Sequence, residues 1–551
     1  MKAAPNSRST AVWFWLAAAG LMLGEFLLFD RMTSRHHAGF YPRWNDQIQY
    51  LAESYTAYQQ TLGQGLWVGL KAALSKTALQ GTLHDFSAVL VFWLAGSPSR
   101  SAALSLNMLV FLAWQGALLV GIPRLTGSRT LAWLGFALLV CLAWPWTADA
   151  GSAVDFRLDH AAMCLMGITS IIALLTEGFR STRWSLLLGL AIGVTVLERF
   201  LTGVYFGLIF IVSVVWVLAG KERWSRLRNL LLAGGVTSAL TIPLLWVNRQ
   251  GIYTYYWVGH ISGAEGTVRS QGFSAVESAK FIFGHLLDMH LGNYFLAYAG
   301  VTTAVLALLA LFSRRPVAVP LPKGWLFFSF VFLLLPAVVL GVHRQKSAYV
   351  LGILVPGAVL LLLWLWTQLW QRIASAPVKG LWRVWPAGLA CAAVAAGECY
   401  FVRRQLEPPY TEGFVASARQ VNDIADYIFE SSRAAGITNP NIAIDQVVDY
   451  FDAPTLQVIC FERRKVWVPF VVQLPNSILT EKDENIFYKV KLCDFVMLTD
   501  QMPGGGYWPY DQQMRRLYPE LKAWCEAHLS VVSHYTLFGR QMTLYHRPAK
   551  S

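Results

Sequence analysis

The stretch HHAGFYPRWNDQIQY, residues 36–50, directly follows the first strongly apolar segment of the chain. It places a carboxylate, amides and several aromatic rings where a membrane helix would meet water, a boundary that suits aromatic rings because one end of each can be hydrated. Asp46, Gln49, Tyr50 and Glu53 recur at three- and four-residue spacing, so they share one face of a helix. This face is either the polar first turn of an interfacial helix or the wall of a site that accepts a proton or holds a cation.

The composition of the 551-residue chain is that of a polytopic membrane protein. It is 55% hydrophobic and 14% charged, with a mean hydropathy of +0.43. Soluble domains carry about 25% charged residues. Residues 11–29 run too long for a secretory signal and lack a small-residue cleavage site, so we expect a retained first span.

The apolar pattern predicts eleven membrane spans, since a span needs about 20 apolar residues. The run 86–96 is too short to cross and is expected to be an interfacial or re-entrant helix. The predicted spans are 11–29, 101–121, 131–148, 160–176, 184–197, 200–219, 230–247, 292–312, 325–342, 347–370 and 384–401.

The charged residues orient these spans. With the N-terminus inside and 86–96 not crossing, the predicted cytoplasmic segments hold 16 Lys and Arg residues and two acids. Short cytoplasmic loops favour Lys and Arg, so this orientation places the C-terminus outside. The outer segments then bring acids, histidines and arginines to one face. Ionisable groups beside spans are costly unless they face a cavity or a partner, so a polar chamber at the outer surface follows.

Two domains are predicted, a transmembrane domain over 1–401 and a soluble α/β domain over 402–551. Long apolar runs disappear in the second part, and helical periodicity at 412–434 and 511–528 alternates with short strand patterns. The predicted strands are Ile442–Val447, Gln457–Phe461, Val466–Val472, Phe495–Leu498, and a closing hairpin of Tyr535–Phe538 and Met542–Tyr545.

The seven cysteines form no zinc-type spacing. Cys141, Cys164, Cys391 and Cys399 lie in apolar runs and are expected to be core residues. Cys460, Cys493 and Cys525 lie in the tail. Two of them could form a disulfide if the tail is outside the cytoplasm.

This layout resembles the GT-C class of integral-membrane glycosyltransferases, in particular the lipid A aminoarabinose transferase and protein O-mannosyltransferase group. The resemblance covers about residues 11–400. It is carried by YPRWNDQIQY at 41–50, an element at 85–97 ending in LAGS, RLDH at 157–160, LGLAIGVTVLER at 188–199 and HRQKSAYVLGILVP at 343–356. This chain departs from the family by His84-Asp85 where a proline pair is frequent, and by Glu198-Arg199 where Lys is common.

The resemblance implies transfer of a sugar from a polyprenyl-phosphate carrier to an acceptor hydroxyl at the periplasmic face of a bacterial inner membrane, with inversion at the sugar. The acceptor would be a lipid, glycan or protein of the cell envelope. Two alternatives stay open: a glycan transferase of the O-antigen ligase kind with a pyrophosphate carrier, and a lipid-linked sugar flippase or transporter. Transporters tend to show paired repeats and helices broken at the bilayer midplane, whereas this chain gathers its charges at one face and ends in an outer domain.

On this interpretation Asp46 is the candidate base and Asp159 the second catalytic carboxylate. Lys346, Arg344 and Arg199 are the candidate cations for the donor phosphate. Ordinary interfacial snorkelling is the alternative role for these cations. The other candidate substrate-binding residues are Tyr50, Asp155, Arg157, Tyr256, His260 and Arg269. No metal site is assigned, and Mg²⁺ or Mn²⁺ between Asp46 and Asp155 or Asp159 stays an option for a pyrophosphate donor.

Overall fold

A computed structural model describes residues 7–37, 45–75, 78–147, 151–263, 270, 272–312, 324–374, 388, 392–393, 396–397, 410–445, 451–465, 467–468, 470–474, 482–499 and 509–548.

The described residues up to position 374 are mainly helical. The α-helices are α1 (Ser7–Met32), α2 (Asn45–Gln59), α3 (Thr61–Gln64), α4 (Leu66–Ser75), α5 (Leu83–Ala95), α6 (Arg100–Thr126), α7 (Arg129–Val140), α8 (Leu158–Leu175), α9 (Thr182–Glu198), α10 (Thr202–Leu218), α11 (Arg223–Ile252), α12 (Ala275–His285), α13 (Gly292–Phe312), α14 (Trp325–Val342) and α15 (Val355–Ala374). π-helical turns extend α1, α11 and α12 over Thr33–His37, Tyr253–Ser262 and Leu286–Leu291, and 3₁₀ turns occupy Trp144–Trp146 and Ala348–Leu354.

The chain is a multi-pass membrane protein. Among the described residues, eight helical stretches are long and apolar enough to cross a bilayer, and each overlaps a predicted span. They are Val12–His37, Arg100–Thr126, Arg129–Trp146, Leu158–Leu175, Arg223–Ser262, Ala275–Leu311, Trp325–Val342 and Ala348–Ile373. Side chains such as Leu231, Ile242 and Trp246 on α11 stay exposed, as expected where the solvent is lipid.

The count of eleven spans stays a prediction. The predicted spans 184–197 and 200–219 correspond to α9 and α10, which have 17 residues each. At 1.5 Å per residue such helices reach about 25 Å, slightly less than the hydrocarbon core. The span 384–401 lies almost entirely outside the described residues. The ambiguous run 86–96 falls in α5, a helix of 13 residues.

The tail forms a small sheet domain with helices on it. Its elements are α16 (Glu412–Ala434), β1 (Ile442–Asp445), α17 (Ala453–Arg464), β2 (Val471–Leu474), α18 (Asp483–Leu492), β3 (Phe495–Thr499), α19 (Pro509–His528), β4 (Ser530–Leu537) and β5 (Arg540–His546). The strand order is β2-β1-β3-β5-β4. β1 pairs in parallel with β2 and β3, and the predicted closing hairpin is the antiparallel pair β4 and β5.

One predicted strand in the tail is wrong, and another differs in its bounds. Gln457–Phe461 is not a strand but the middle of α17, because Asp452 caps this helix by accepting a hydrogen bond from Thr455 N at 2.8 Å and Pro454 occupies its first turn. The strand predicted at Val466–Val472 begins at Val471 instead. Helix α18 was not predicted; its charged first and last turns suit a helix, with Asp483 and Glu484 at the start and lysines at the end.

The sheet domain packs directly on the membrane part. Val458 and Phe461 of α17 belong to the same buried cluster as the membrane helices. Tyr55 of α2 is fully buried, and its ring lies 5.6 Å from that of Phe461. Its hydroxyl donates to Glu462 at 2.5 Å. The helix that carries Asp46 is therefore held from the tail side.

The described cysteines are buried thiols, namely Cys141, Cys164, Cys460, Cys493 and Cys525. Cys391 and Cys399 lie outside the described residues.

Candidate functional site

A polar pocket lies beside the first turns of α2. It has about 540 Å³ of empty space, a figure that includes open solvent at its mouth. Its described lining residues are Asp46, Gln49, Tyr50, Glu53, Ala78, Leu79, Gln80, Gly81, His84, Asp85, Leu158 and Tyr255. The helix face expected from the spacing of Asp46, Gln49, Tyr50 and Glu53 is thus one wall of a pocket.

The opposite wall is the segment 78–85, which is fixed to the end of α9. Thr82 N donates to Leu197 O at 2.8 Å, and Phe200 N donates to Gln80 O at 2.7 Å. Between them, Gly81 lies so close to the chain that a Cβ there would be 1.9 Å from Glu198 O. Only glycine allows this approach, which sets the first turn of α5 against the last residue of α9.

Arg157 lies behind Asp46. Its Nη1 is 3.5 Å from Asp46 Oδ2, and the Arg157 side chain is 4% exposed whereas that of Asp46 is 48% exposed. The guanidinium also lies over the ring of Tyr349 at 4.5 Å. Arg157 Nε is buried and has no hydrogen-bond partner among the described residues. The pair is loose, so Asp46 is accessible to water, and among the described residues Arg157 Nε stays available to donate to a ligand.

Asp159 and Arg199 form a second, tighter pair. Arg199 Nε lies 3.0 Å from Asp159 Oδ1, with both side chains nearly buried. Arg199 Nη1 also donates to Gln80 Oε1 at 3.0 Å, which ties the pair to the pocket wall. Buried ion pairs are tolerated when such added hydrogen bonds satisfy their remaining donors.

Tyr50 and Tyr255 complete the pocket from two helices. Burial, together with the nearby charge of Asp46, raises the pKa of Tyr50 well above its ordinary value. The Tyr50 phenol therefore stays protonated at neutral pH and offers an O–H donor. The rings of Tyr255 and Tyr256 lie 5.0 Å apart, and Tyr256 packs against the cluster of Ala78, Leu197 and Phe200.

His260 and Asp155 lie outside the pocket lining. The His260 ring lies 4.9 Å from that of Tyr255 and 5.7 Å from that of His343. Asp155 is buried and accepts a hydrogen bond from Gly151 N at 2.9 Å, while its backbone carbonyl accepts one from Asn107. These contacts fold the turn that leads into Arg157. Arg269 lies outside the described residues.

Lys346 and Arg344 do not line the pocket either. The Lys346 ammonium donates to the carbonyls of Leu340, Gly341 and His343, at 3.1, 2.7 and 2.6 Å. These carbonyls end α14, so the side chain caps that helix, as cations near a C-terminus do. Burial lowers the pKa of Lys346. Arg344 is exposed.

The sequence did not single out His84 and Glu198 as a functional pair. His84 Nδ1 lies 2.7 Å from Glu198 Oε1, and both side chains are buried. Next to them, the Ser54 hydroxyl donates to Asp85 at 2.6 Å. One signal in the sequence could have identified this pair: His84 and Asp85 stand in the first turn of an otherwise apolar helix. Buried ionisable groups of this kind need partners.

Within the described part of the chain, no group of three or more His, Cys, Asp or Glu side chains is arranged to hold a metal ion.

Neither a family model nor a curated protein matches this sequence. Solved structures do share its fold. The chain is similar to ArnT from Cupriavidus metallidurans in the apo state, with 16% identity, a TM-score of 0.58 and 99% of each chain covered. It is similar to the same protein bound to undecaprenyl phosphate, with 14% identity, a TM-score of 0.52 and 98% of each chain covered.

A third similar structure is the archaeal oligosaccharyltransferase AglB from Archaeoglobus fulgidus in complex with an inhibitory peptide and a dolichol-phosphate. It shows 9% identity and a TM-score of 0.50, with 96% of this chain and 74% of that chain covered. At these identities the likeness concerns the fold. The expected GT-C fold is confirmed over nearly the whole chain.

Proposed function

We propose that this protein is a glycosyltransferase that moves a sugar from a polyprenyl-phosphate carrier to an acceptor hydroxyl of the cell envelope. The shared fold supports this proposal, since one similar structure is bound to undecaprenyl phosphate and another to a dolichol-phosphate. Reaction at the periplasmic face of a bacterial inner membrane, with the N-terminus inside, belongs to the same proposal. The concentration of basic residues in one set of predicted loops supports it.

The observation that carries the proposal is the meeting of two acid–arginine pairs around one pocket. Asp46 is half exposed and lines the pocket, whereas Arg157 behind it is buried. Asp159 and Arg199 are joined through Gln80 to the opposite wall, the segment 78–85. A glycosyl transfer from a phosphate needs both functions together: an acceptor for a proton, and fixed cations where charge develops on the leaving phosphate.

In this mechanism Asp46 takes the proton of the acceptor hydroxyl. The acceptor oxygen forms its bond to C1 of the sugar as the bond between C1 and the phosphate oxygen breaks. The electron pair of the broken bond leaves on the phosphate. A direct in-line attack of this kind inverts the configuration at C1.

Arg157 and Arg199 are the cations we assign to the leaving phosphate. Arg157 has an unused buried Nε among the described residues, and Arg199 is held in place by Asp159 and Gln80. Asp159 thus acts as a positioning residue for Arg199. Tyr50 would donate its hydroxyl to the substrate, and the tyrosines at 255 and 256 would pack against the sugar side of the site.

The direct test is transfer of a radiolabelled sugar from its polyprenyl-phosphate carrier by the purified protein, with cell-envelope extract as acceptor. Asp46→Asn keeps the size of the side chain but removes the base, so we expect transfer to fall at least 100-fold, the usual contribution of a general base. Carrier binding should stay within about twofold.

The matched control is Asp423→Asn, which changes an exposed carboxylate on α16 far from the pocket residues along the chain. It should transfer at the wild-type rate. Near-normal turnover by Asp46→Asn would contradict the assignment of Asp46 as the base. Movement of the labelled carrier across a vesicle membrane with no loss of its sugar would favour a flippase instead.

A further inference from the structure

We propose that His84, oriented by Glu198, recognises a hydroxyl group of the donor sugar, so that the pocket beside α2 takes the sugar and not the phosphate of the lipid carrier. This inference rests on the proposed function and assigns a part of the donor to a part of the site.

The first observation is that His84 is a buried side chain at the pocket. The residue is 1% exposed and lines the pocket. Its Nε2 has no hydrogen-bond partner among the described residues. A buried polar atom without a partner costs free energy, so a group that satisfies it is expected when the pocket is filled.

The second observation is that Glu198 determines whether Nε2 of His84 acts as a hydrogen-bond donor or acceptor. The 2.7 Å contact between Nδ1 and Glu198 Oε1 holds the proton of a neutral ring on Nδ1, since a carboxylate accepts hydrogen bonds. Nε2 then carries a lone pair. A lone pair accepts a hydrogen bond from a hydroxyl, whereas an ionised phosphate has no proton to donate.

The third observation is the charge of the pocket. Its described lining contains three carboxylates, those of Asp46, Glu53 and Asp85, and neither Lys nor Arg. Carboxylate oxygens accept hydrogen bonds from hydroxyl groups, whereas an ionised phosphate has no proton to donate to them. The two arginines lie just behind the lining, in contact with Asp46 and Gln80. A sugar in the pocket would therefore place its attached phosphate next to them.

The contacts around His84 hold its ring rigidly enough to recognise a sugar hydroxyl. The ring packs 4.3 Å from that of Phe156, and the backbone bonds between 80–82 and 197–200 fix Glu198 opposite it. A hydrogen-bond acceptor that is held in place discriminates well against ligands that lack the matching hydroxyl.

The experiment compares two ligands on the purified full-length protein: undecaprenyl phosphate alone, and undecaprenyl phosphate carrying one sugar from a panel of hexoses and pentoses. We expect the wild-type protein to bind at least one sugar-bearing carrier more tightly than the bare carrier. His84→Phe keeps a ring but removes both nitrogens. It should lower this preference about tenfold and leave the affinity for the bare carrier unchanged, because one hydrogen bond is worth about that factor.

Two further variants separate recognition from folding. His84→Gln keeps an acceptor oxygen and a donor towards Glu198, so it should restore most of the preference. If His84→Phe alone does not fold because Glu198 is left unpaired, the double variant H84F/E198L removes both polar groups and should show the same tenfold loss. The matched control is His290→Phe, at a buried histidine that bonds the carbonyl of Ala348 and does not line the pocket; it should keep the preference.

An equal loss of affinity for the bare and the sugar-bearing carrier in His84→Phe would overturn the inference, because His84 would then contact the phosphate. An unchanged preference in that variant would overturn it as well, and so would a wild-type protein that binds every sugar-bearing carrier no better than the bare one. Failure of the wild-type protein to bind any polyprenyl phosphate would contradict the proposed function itself.

Discussion

At the scale of single residues, the pocket combines one loose and one tight acid–arginine pair. Arg199 and Asp159 are buried at 3.0 Å, and removing one partner of such a pair costs about 3–5 kcal/mol because the other charge stays buried. Asp46 and Arg157 lie 3.5 Å apart, and Asp46 is half exposed. The tight pair suits a fixed cation, and the loose pair leaves Asp46 accessible for a substrate proton.

Lys346 has two proposed roles that can be distinguished: the sequence predicts a contact with the donor phosphate, whereas the structure shows a cap on α14. Lys346→Met removes the donor to three carbonyls at the end of α14, so we expect thermal unfolding several degrees lower. Affinity for undecaprenyl phosphate should stay within about twofold. Equilibrium binding and thermal unfolding of the same preparations measure the two effects. Weaker binding at an unchanged unfolding temperature would instead support the phosphate contact expected from the sequence.

Asp452 makes the folding stability of the tail domain depend on pH. Burial raises the pKa of this carboxyl to about 6, although Thr455 hydrogen bonds oppose the shift. A folded-state pKa above the unfolded value means that folding is favoured at low pH and loses stability as pH rises from about 4 through 6. Because the folded and unfolded pKa values differ by about two units, the free energy of unfolding falls by about 3 kcal/mol across this pH range.

Asp452→Asn keeps a good cap without the charge. Hydrogen exchange of residues 453–464 should therefore be slower in the variant than in the wild-type protein at pH 8, after correction for the intrinsic rate. The difference should vanish near pH 4. Equal protection at both pH values would contradict a raised pKa.

At the scale of elements, the junction between segment 80–82 and the end of α9 builds the pocket wall. Periodicity predicted the helices on both sides, since the apolar runs at 86–96 and 184–197 match α5 and α9. It did not predict the junction, because backbone bonds between residues more than 100 positions apart leave no trace in local spacing. Gly81 gave no stronger signal than any other glycine before a helix.

Gly81→Ala tests the junction. The added Cβ would meet Glu198 O at 1.9 Å, and backbone atoms cannot move aside cheaply. We expect a lower unfolding temperature and a slower sugar transfer, because His84 and Glu198 are displaced together. Gly284→Ala is the control: nothing lies within 4 Å of its Cβ in α12, so stability should be equal or slightly higher. Wild-type transfer by Gly81→Ala would show that this close approach is not needed.

At the scale of the whole molecule, the sequence predicted the fold better than the site. Long apolar runs and the basic loops between them indicated a polytopic membrane protein, and eight of the predicted spans are matched by long apolar helices in the described part of the chain. The sequence singles out Asp46, Tyr50, Arg157, Asp159 and Arg199 as candidates because charged and polar groups next to spans are costly without a role. Their pairing was not predictable: Arg157 and Asp46 lie 111 positions apart, and His84 and Glu198 lie 114 apart.

The role of Lys346, unlike the pairing of distant residues, could have been predicted from the local sequence. A lysine four residues after an apolar helix commonly caps its last carbonyls. The strand predicted at Gln457–Phe461 also had a local warning, since Asp452 followed two positions later by proline is a helix-start signal.

The position of a bound lipid-linked donor relates the two arginines, the pocket and Asp46 to one another. A structure of the full-length protein with a polyprenyl-phosphate sugar bound measures this directly. We predict that the phosphate lies within hydrogen-bond distance of Arg157 and Arg199, with the sugar in the pocket and its C1 facing Asp46. A phosphate held by Lys346 and Arg344, with the pocket beside α2 empty, would contradict the account.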